Sequence, residues 1–157
     1  MVMTEPGDKL VSGAEARPTF FEYYVFWSRG PEPTIAERDR GVYLLEMAEA
    51  RHLQRFFDPL YESAGLGISA TNDQLVCGEG LVALQGAVAQ AIDDVRGQPE
   101  KWPVVVGHTF EPFQEKLGAP IARHASRRRL LEFLERVAEM IRQAREAGGY
   151  LHFGGGG

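Results

Sequence analysis

Residues 126–153 read SRRRLLEFLERVAEMIRQAREAGGYLHF, and a change of period inside this stretch decides the fold class. Leu130, Phe133, Leu134, Val137, Ile141 and Ala144 recur at spacings of three and four, so a helix places them along one side. Ser126 suits the N-cap because its hydroxyl can accept from an otherwise orphaned amide of the first turn. The other side of the helix carries opposite charges four residues apart, Arg128 with Glu132, Glu132 with Arg136 and Arg142 with Glu146. Such pairs contribute about 0.2–0.5 kcal/mol each. Gly148 and Gly149 stop the helix, and YLHF then reads as a short strand. A long amphipathic helix that hands the chain straight to a strand predicts a mixed architecture.

Working outward, TFFEYYVFWS at 19–28 is aromatic and β-branched, the composition of a pleated and largely buried strand. RGPEPT at 29–34 breaks it with two prolines and a glycine. The region from Thr34 is rich in helix formers. Leu45, Ala48, His52, Leu53, Phe56 and Phe57 predict a helix over about 43–57, with a short strand at GVYLLEM as the alternative start. Pro59 is expected to kink it or begin another turn, and Gly65 and Gly67 to supply the stop. Leu81, Leu84, Val88, Ala91, Ile92 and Val95 predict a second helix over 79–96, with Ala83, Gly86, Ala87 and Ala89 allowing a neighbour to approach. WPVVVGHTF at 102–110 reads as an interior strand, and EPFQEKLGAPIARHA at 111–125 as a loop with one helical turn.

The order strand, helix, helix, strand, helix, strand predicts one compact mixed α/β (α+β) domain, a small central mixed sheet of three or more strands with about three main helices packed on it. The domain is expected over 18–153, between an arm at 1–17 and a glycine tail at 154–157.

Composition narrows the functions. Seventeen Lys and Arg against 22 Asp and Glu give a net charge of −5, which disfavours a uniformly basic nucleic-acid surface and favours another protein, one with a basic surface, as partner. Cys77 is the one cysteine, so no disulfide can form within the chain, and cytoplasm is the expected address. No secretion signal and no apolar run of bilayer-spanning length is read, and no membrane association is expected.

Motifs for chemistry are weak. Glu49 and His52 have the i, i+3 spacing of carboxylate-bridged metal bundles, but there is no second copy, so Glu49 is expected in solvent and no metal is predicted. Cys77 follows apolar residues in LVCGEG and is expected as a small core residue. The glycines at 78, 80 and 86 miss the dinucleotide spacing, no phosphate loop or nucleophile elbow occurs, and no cofactor is predicted.

The expectation is a noncatalytic, acidic protein-interaction domain, such as a small bacterial immunity-type protein that blocks a toxic enzyme. Its candidate partner-binding residues are Trp27, with Tyr24 as the alternative apolar anchor, Glu32, Glu37 and Asp39, with His108, Phe110, Glu111 and Phe113 on a loop leaving the expected interior strand. Two alternatives stand beside it. One is a small enzyme or ligand-binding protein with His108 as general acid or base and Glu111 as its partner. The other is an anion-binding or nucleic-acid-binding regulator using Arg123, Arg127, Arg128 and Arg129 at a helix start.

Overall fold

Aromatic side chains on both faces, with Val25 among them, make Phe20–Ser28 an inner strand, β1, in the computed structural model, which describes residues 19–38, 42–66, 73–111 and 116–155. The elements that follow are α1 (Ile35–Arg38), β2 (Val42–Glu46), α2 (Met47–Ala64), β3 (Gln74–Cys77), α3 (Glu79–Arg96), β4 (Lys101–Glu111), β5 (Lys116–Ser126), α4 (Arg127–Ala147) and β6 (Tyr150–Gly155). Four strands form one sheet in the order β2-β1-β6-β3, and β4 pairs with β5 in a separate hairpin. The class is the mixed α/β architecture expected, and α2, α3 and α4 are its main helices. The sheet is antiparallel at every described pairing, where a mixed sheet was expected. Residues 1–17 lie outside the described residues.

The core forms where α4 crosses the sheet. Its buried side, Leu130, Phe133, Leu134, Val137, Met140, Ile141 and Ala144, follows the spacing read in the sequence. Ser126 caps it, accepting from Arg129 N at 3.2 Å, and Gly148 closes it with φ 62°, a conformation that costs a side chain but not glycine. Phe133 sits at the centre, with ring centroids 5.6 Å from Tyr23, 5.6 Å from Tyr43 and 6.3 Å from Phe153. Truncating such a ring to alanine costs about 3–5 kcal/mol. α3 adds Leu81, Leu84, Val88, Ala91 and Val95, while its small residues Ala83, Gly86 and Ala89 face solvent and serve no close approach.

Four expectations need correction. The chain enters α2 through a strand, the alternative start, because Leu45 packs into the core while Val42 and Leu44 alternate outward. The helix runs past its expected end near residue 57, through Pro59 to Ala64, and closes at Gly65, the stop expected, with φ 71°. β4 is no interior strand: among the described residues it pairs only with β5, with Trp102 buried and Val104 and Val106 packed against the core while Val105 is exposed. Residues 116–126, read as part of a loop, are the strand β5 that completes this hairpin.

The last strand also runs further than Phe153. Gly154 and Gly155 pair with Tyr24 and Tyr23, so the first two residues of the expected tail are strand.

Candidate functional site

Residues directly opposite one another in an antiparallel pair share a face. One face of the sheet carries Tyr23, Val25, Leu45, Val76, Leu151 and Phe153, all buried in the single core that includes the three long helices. On the other face Leu44 lies opposite Glu22, Val42 opposite Tyr24, Tyr24 opposite Gly154, Phe26 opposite His152 and His152 opposite Leu75. No long helix among the described residues covers it. An antiparallel sheet with one solvated face ordinarily turns polar residues outward. Here Val42, Leu44 and Leu75 are 62%, 53% and 49% exposed.

At one end of this face the chain returns over the sheet. Thr34 and Glu37 cap α1 reciprocally, Thr34 N donating to Glu37 Oε1 at 2.8 Å and Glu37 N to Thr34 Oγ1 at 3.2 Å. That pins Arg38 beside the sheet. Between the 31–38 segment and the strands lies a cavity of about 760 Å³, lined by Tyr24, Phe26, His152, Asp73, Glu32 and Arg38 together with two prolines.

The floor is flat and aromatic. The His152 ring stacks on Phe26 with centroids 4.5 Å apart and planes 10° from parallel, and Tyr24 stacks on the same phenylalanine at 5.8 Å and 26°. Ser28 lies beneath. Its Oγ is 2.6 Å from Gly30 O and 2.7 Å from His152 Nε2. A hydroxyl has one proton and a carbonyl can only accept, so Ser28 donates to Gly30 and the histidine donates Nε2–H to Ser28. That assignment leaves Ser28 buried with its proton committed, which is the wrong arrangement for a nucleophile activated by a base. Desolvation, with Arg38 assisting and Glu37 opposing, lowers the His152 pKa below its ordinary value and favours the neutral ring. Tyr24 donates to Asp73, and burial with that acidic neighbour pushes the phenol up to about 12.

The residues singled out in the sequence separate. Glu32 and Glu37 belong to this end of the sheet. The Trp27 ring lies on the helix side of β1 against the core, with the Arg29 guanidinium 5.5 Å from its centroid and no acceptor for its buried Nε1 among the described residues. His108 is exposed on the hairpin, in a different sheet. Phe110 and Glu111 are on the same strand, their side chains outside the described set, and Asp39 and Phe113 lie outside the described residues.

The arginines have internal work. Arg123 Nε donates to Glu46 Oε2 at 2.6 Å, and Arg129 Nη1 donates to Glu49 Oε2 at 3.1 Å. Arg127 reaches Gln98 O at 2.8 Å, and Arg128 lies along α4 with Glu132 at 3.6 Å. Glu49 was expected in solvent but is fully buried, because Glu46 N at 2.9 Å and Ser126 N at 2.8 Å also donate to it. Burial raises its pKa against the lowering influence of those amides and Arg129. The network clamps the β2–α2 junction to the β5–α4 junction, a structural role that sequence spacing does not reveal. His52, buried, spans Asp94 at 2.7 Å and the Trp102 indole at 3.4 Å. It therefore shares no site with Glu49, and no three His, Cys, Asp or Glu side chains among the described residues converge to hold a metal ion.

Cys77 is exposed, where a core position was expected. Val76 takes the buried side of β3, so its neighbours turn outward. No helix among the described residues is long and apolar enough to cross a membrane.

No protein family, curated protein or solved structure matches the chain. The site must be read from its own chemistry.

Proposed function

We propose that this protein is a noncatalytic, acidic interaction domain that binds another protein through the helix-free face of its sheet. The observation that carries the reading is the placement of Val42, Leu44 and Leu75, exposed and aliphatic, on the sheet face that no long helix among the described residues covers. Single exposed aliphatics are ordinary. Here Val42 and Leu44 on β2 and Leu75 on β3 stand at the two edges of the face, with Tyr24, Phe26 and His152 between them, so that apolar and aromatic side chains run across it. Glu22, Glu32, Glu37 and Asp73 border that face and fit the net charge of −5, so the partner it complements is basic. Ser28 and His152 support binding over catalysis, since the Ser28 hydroxyl proton is already given to a carbonyl and not to the histidine. An inhibitor that covers the active site of a toxic enzyme, as bacterial immunity proteins do, is the particular form of this function we favour.

Capture from native cells tests the reading. The tagged protein should bring down one partner in stoichiometric amount, Leu44→Arg and Val42→Arg should lose it, and Gln90→Arg on the exposed side of α3 should keep it. No partner, or a partner retained by both face variants, would sink the reading. If the partner is an enzyme, added protein should suppress its turnover.

A further inference from the structure

We propose that the pocket between the 31–38 segment and the sheet is a recognition site for a planar cation, the guanidinium of an arginine side chain presented by the partner. The floor supplies the first reason. Phe26 is buried within the stack, and the half-buried rings of Tyr24 and His152, 5.8 Å and 4.5 Å from it, supply the π surface that attracts a cation. A guanidinium is flat, weakly hydrated and suited to stacking, whereas an ammonium is compact and strongly hydrated.

Hydrogen-bond polarity supplies the second. Because Ser28 gives its proton to Gly30, His152 spends Nε2–H on Ser28 and keeps Nδ1 as an acceptor, for which no protein donor is found among the described residues. Tyr24 gives its proton to Asp73 and keeps an acceptor oxygen. Asp73 and Glu32 accept only. Every polar side chain of the pocket except Arg38 therefore asks the ligand for donors, and a guanidinium brings five.

Charge supplies the third. Asp73 and Glu32 line the cavity and Glu37 is near enough to act on His152, so carboxylates outnumber the guanidinium of Arg38. Arg38 opposes a second cation, and it makes the two signs of ligand distinguishable. Removing it strengthens a cation site and destroys an anion site.

The inference rests on the interaction reading for the source of the arginine, but not for the chemistry of the pocket. The probe is N-acetyl-arginine-N-methylamide, titrated into the ¹⁵N-labelled full chain alongside its neutral isostere built on citrulline. The arginine compound should shift the amides of Tyr24, Phe26, Asp73 and His152 saturably, and the citrulline compound should bind at least about tenfold more weakly, as loss of a charge-assisted pair implies. Asp73→Asn should weaken the arginine compound by a similar factor and Arg38→Ala should tighten it. Equal binding of the two compounds, no saturable shift, or binding of inorganic phosphate that Arg38→Ala abolishes would overturn the proposal. Saturation by the probe without any partner on the sheet face would keep the pocket and sink the interaction reading. A partner held on that face with no response to the probe would do the reverse.

Discussion

Tyr24 lies over Gly154, its cross-strand neighbour, where any other residue would place a side chain. A β-carbon built on Gly154 falls 2.8 Å from Tyr24 Oη and 2.9 Å from Cζ, and it overlaps Asp73 Oδ1. The first residue of the terminal glycine run therefore packs against two residues of the pocket wall, Tyr24 and Asp73.

Gly154→Ala should destabilise the protein by about 1–3 kcal/mol, the usual cost of forcing atoms into a packed site. A lowered urea midpoint with unchanged slope is the expected result. A midpoint equal to wild type would show that Tyr24 and Asp73 move aside freely.

Glu49 supports a second prediction, with a sign in pH. Glu49→Gln puts an amide NH₂ against an incoming donor, because both carboxylate oxygens accept, and should cost about 1–3 kcal/mol. The folded-state pKa is raised from 4.5, so the folded protein holds this proton more tightly than the unfolded chain does. The stability Glu49 contributes is then full below pH 4.5 and falls as pH rises through the folded value. The penalty of Glu49→Gln should accordingly be larger in acid and shrink above that range, which urea titrations at several pH values would show.

His152 behaves oppositely. Its folded pKa is lowered from 6.5, so the unfolded chain takes up the proton first as pH falls. Stability should be full above pH 6.5 and decline below it. His152→Gln should flatten that decline, and an NMR titration of the His152 ring should give a midpoint below 6.5. A midpoint above it would contradict the desolvated setting.

Cys77 should react with a thiol reagent in the folded protein, one equivalent at a rate approaching that of an exposed cysteine. Reaction only on unfolding would place it in the core after all.

What the sequence disclosed follows from local physics. α4 was legible because Ser126, a one-sided apolar period and Gly148 all act within the helix itself. β5 was not, because Gly118, Pro120, Arg123 and His124 break its alternation, and only pairing with β4 makes 116–126 a strand. β2 hid within helix-forming residues whose first turn it caps through Glu46. The clamp of Glu46 and Glu49 onto the second junction joins residues 77 and 80 apart, a separation over which no spacing rule reaches. Glu32 and Glu37 were singled out from their charged loop with Tyr24 as an alternative anchor, but the pocket also needed the Phe26 and His152 rings, which only the strand register brings together.

The most direct measurement is a methyl-labelled NMR footprint of the captured partner on the folded protein. Binding through the sheet face predicts that the methyls of Val42, Leu44 and Leu75 shift or broaden, with those of Val82 on α3 and Val105 on β4 unchanged. A footprint centred on Val105 and the hairpin, or on α3, would contradict the account.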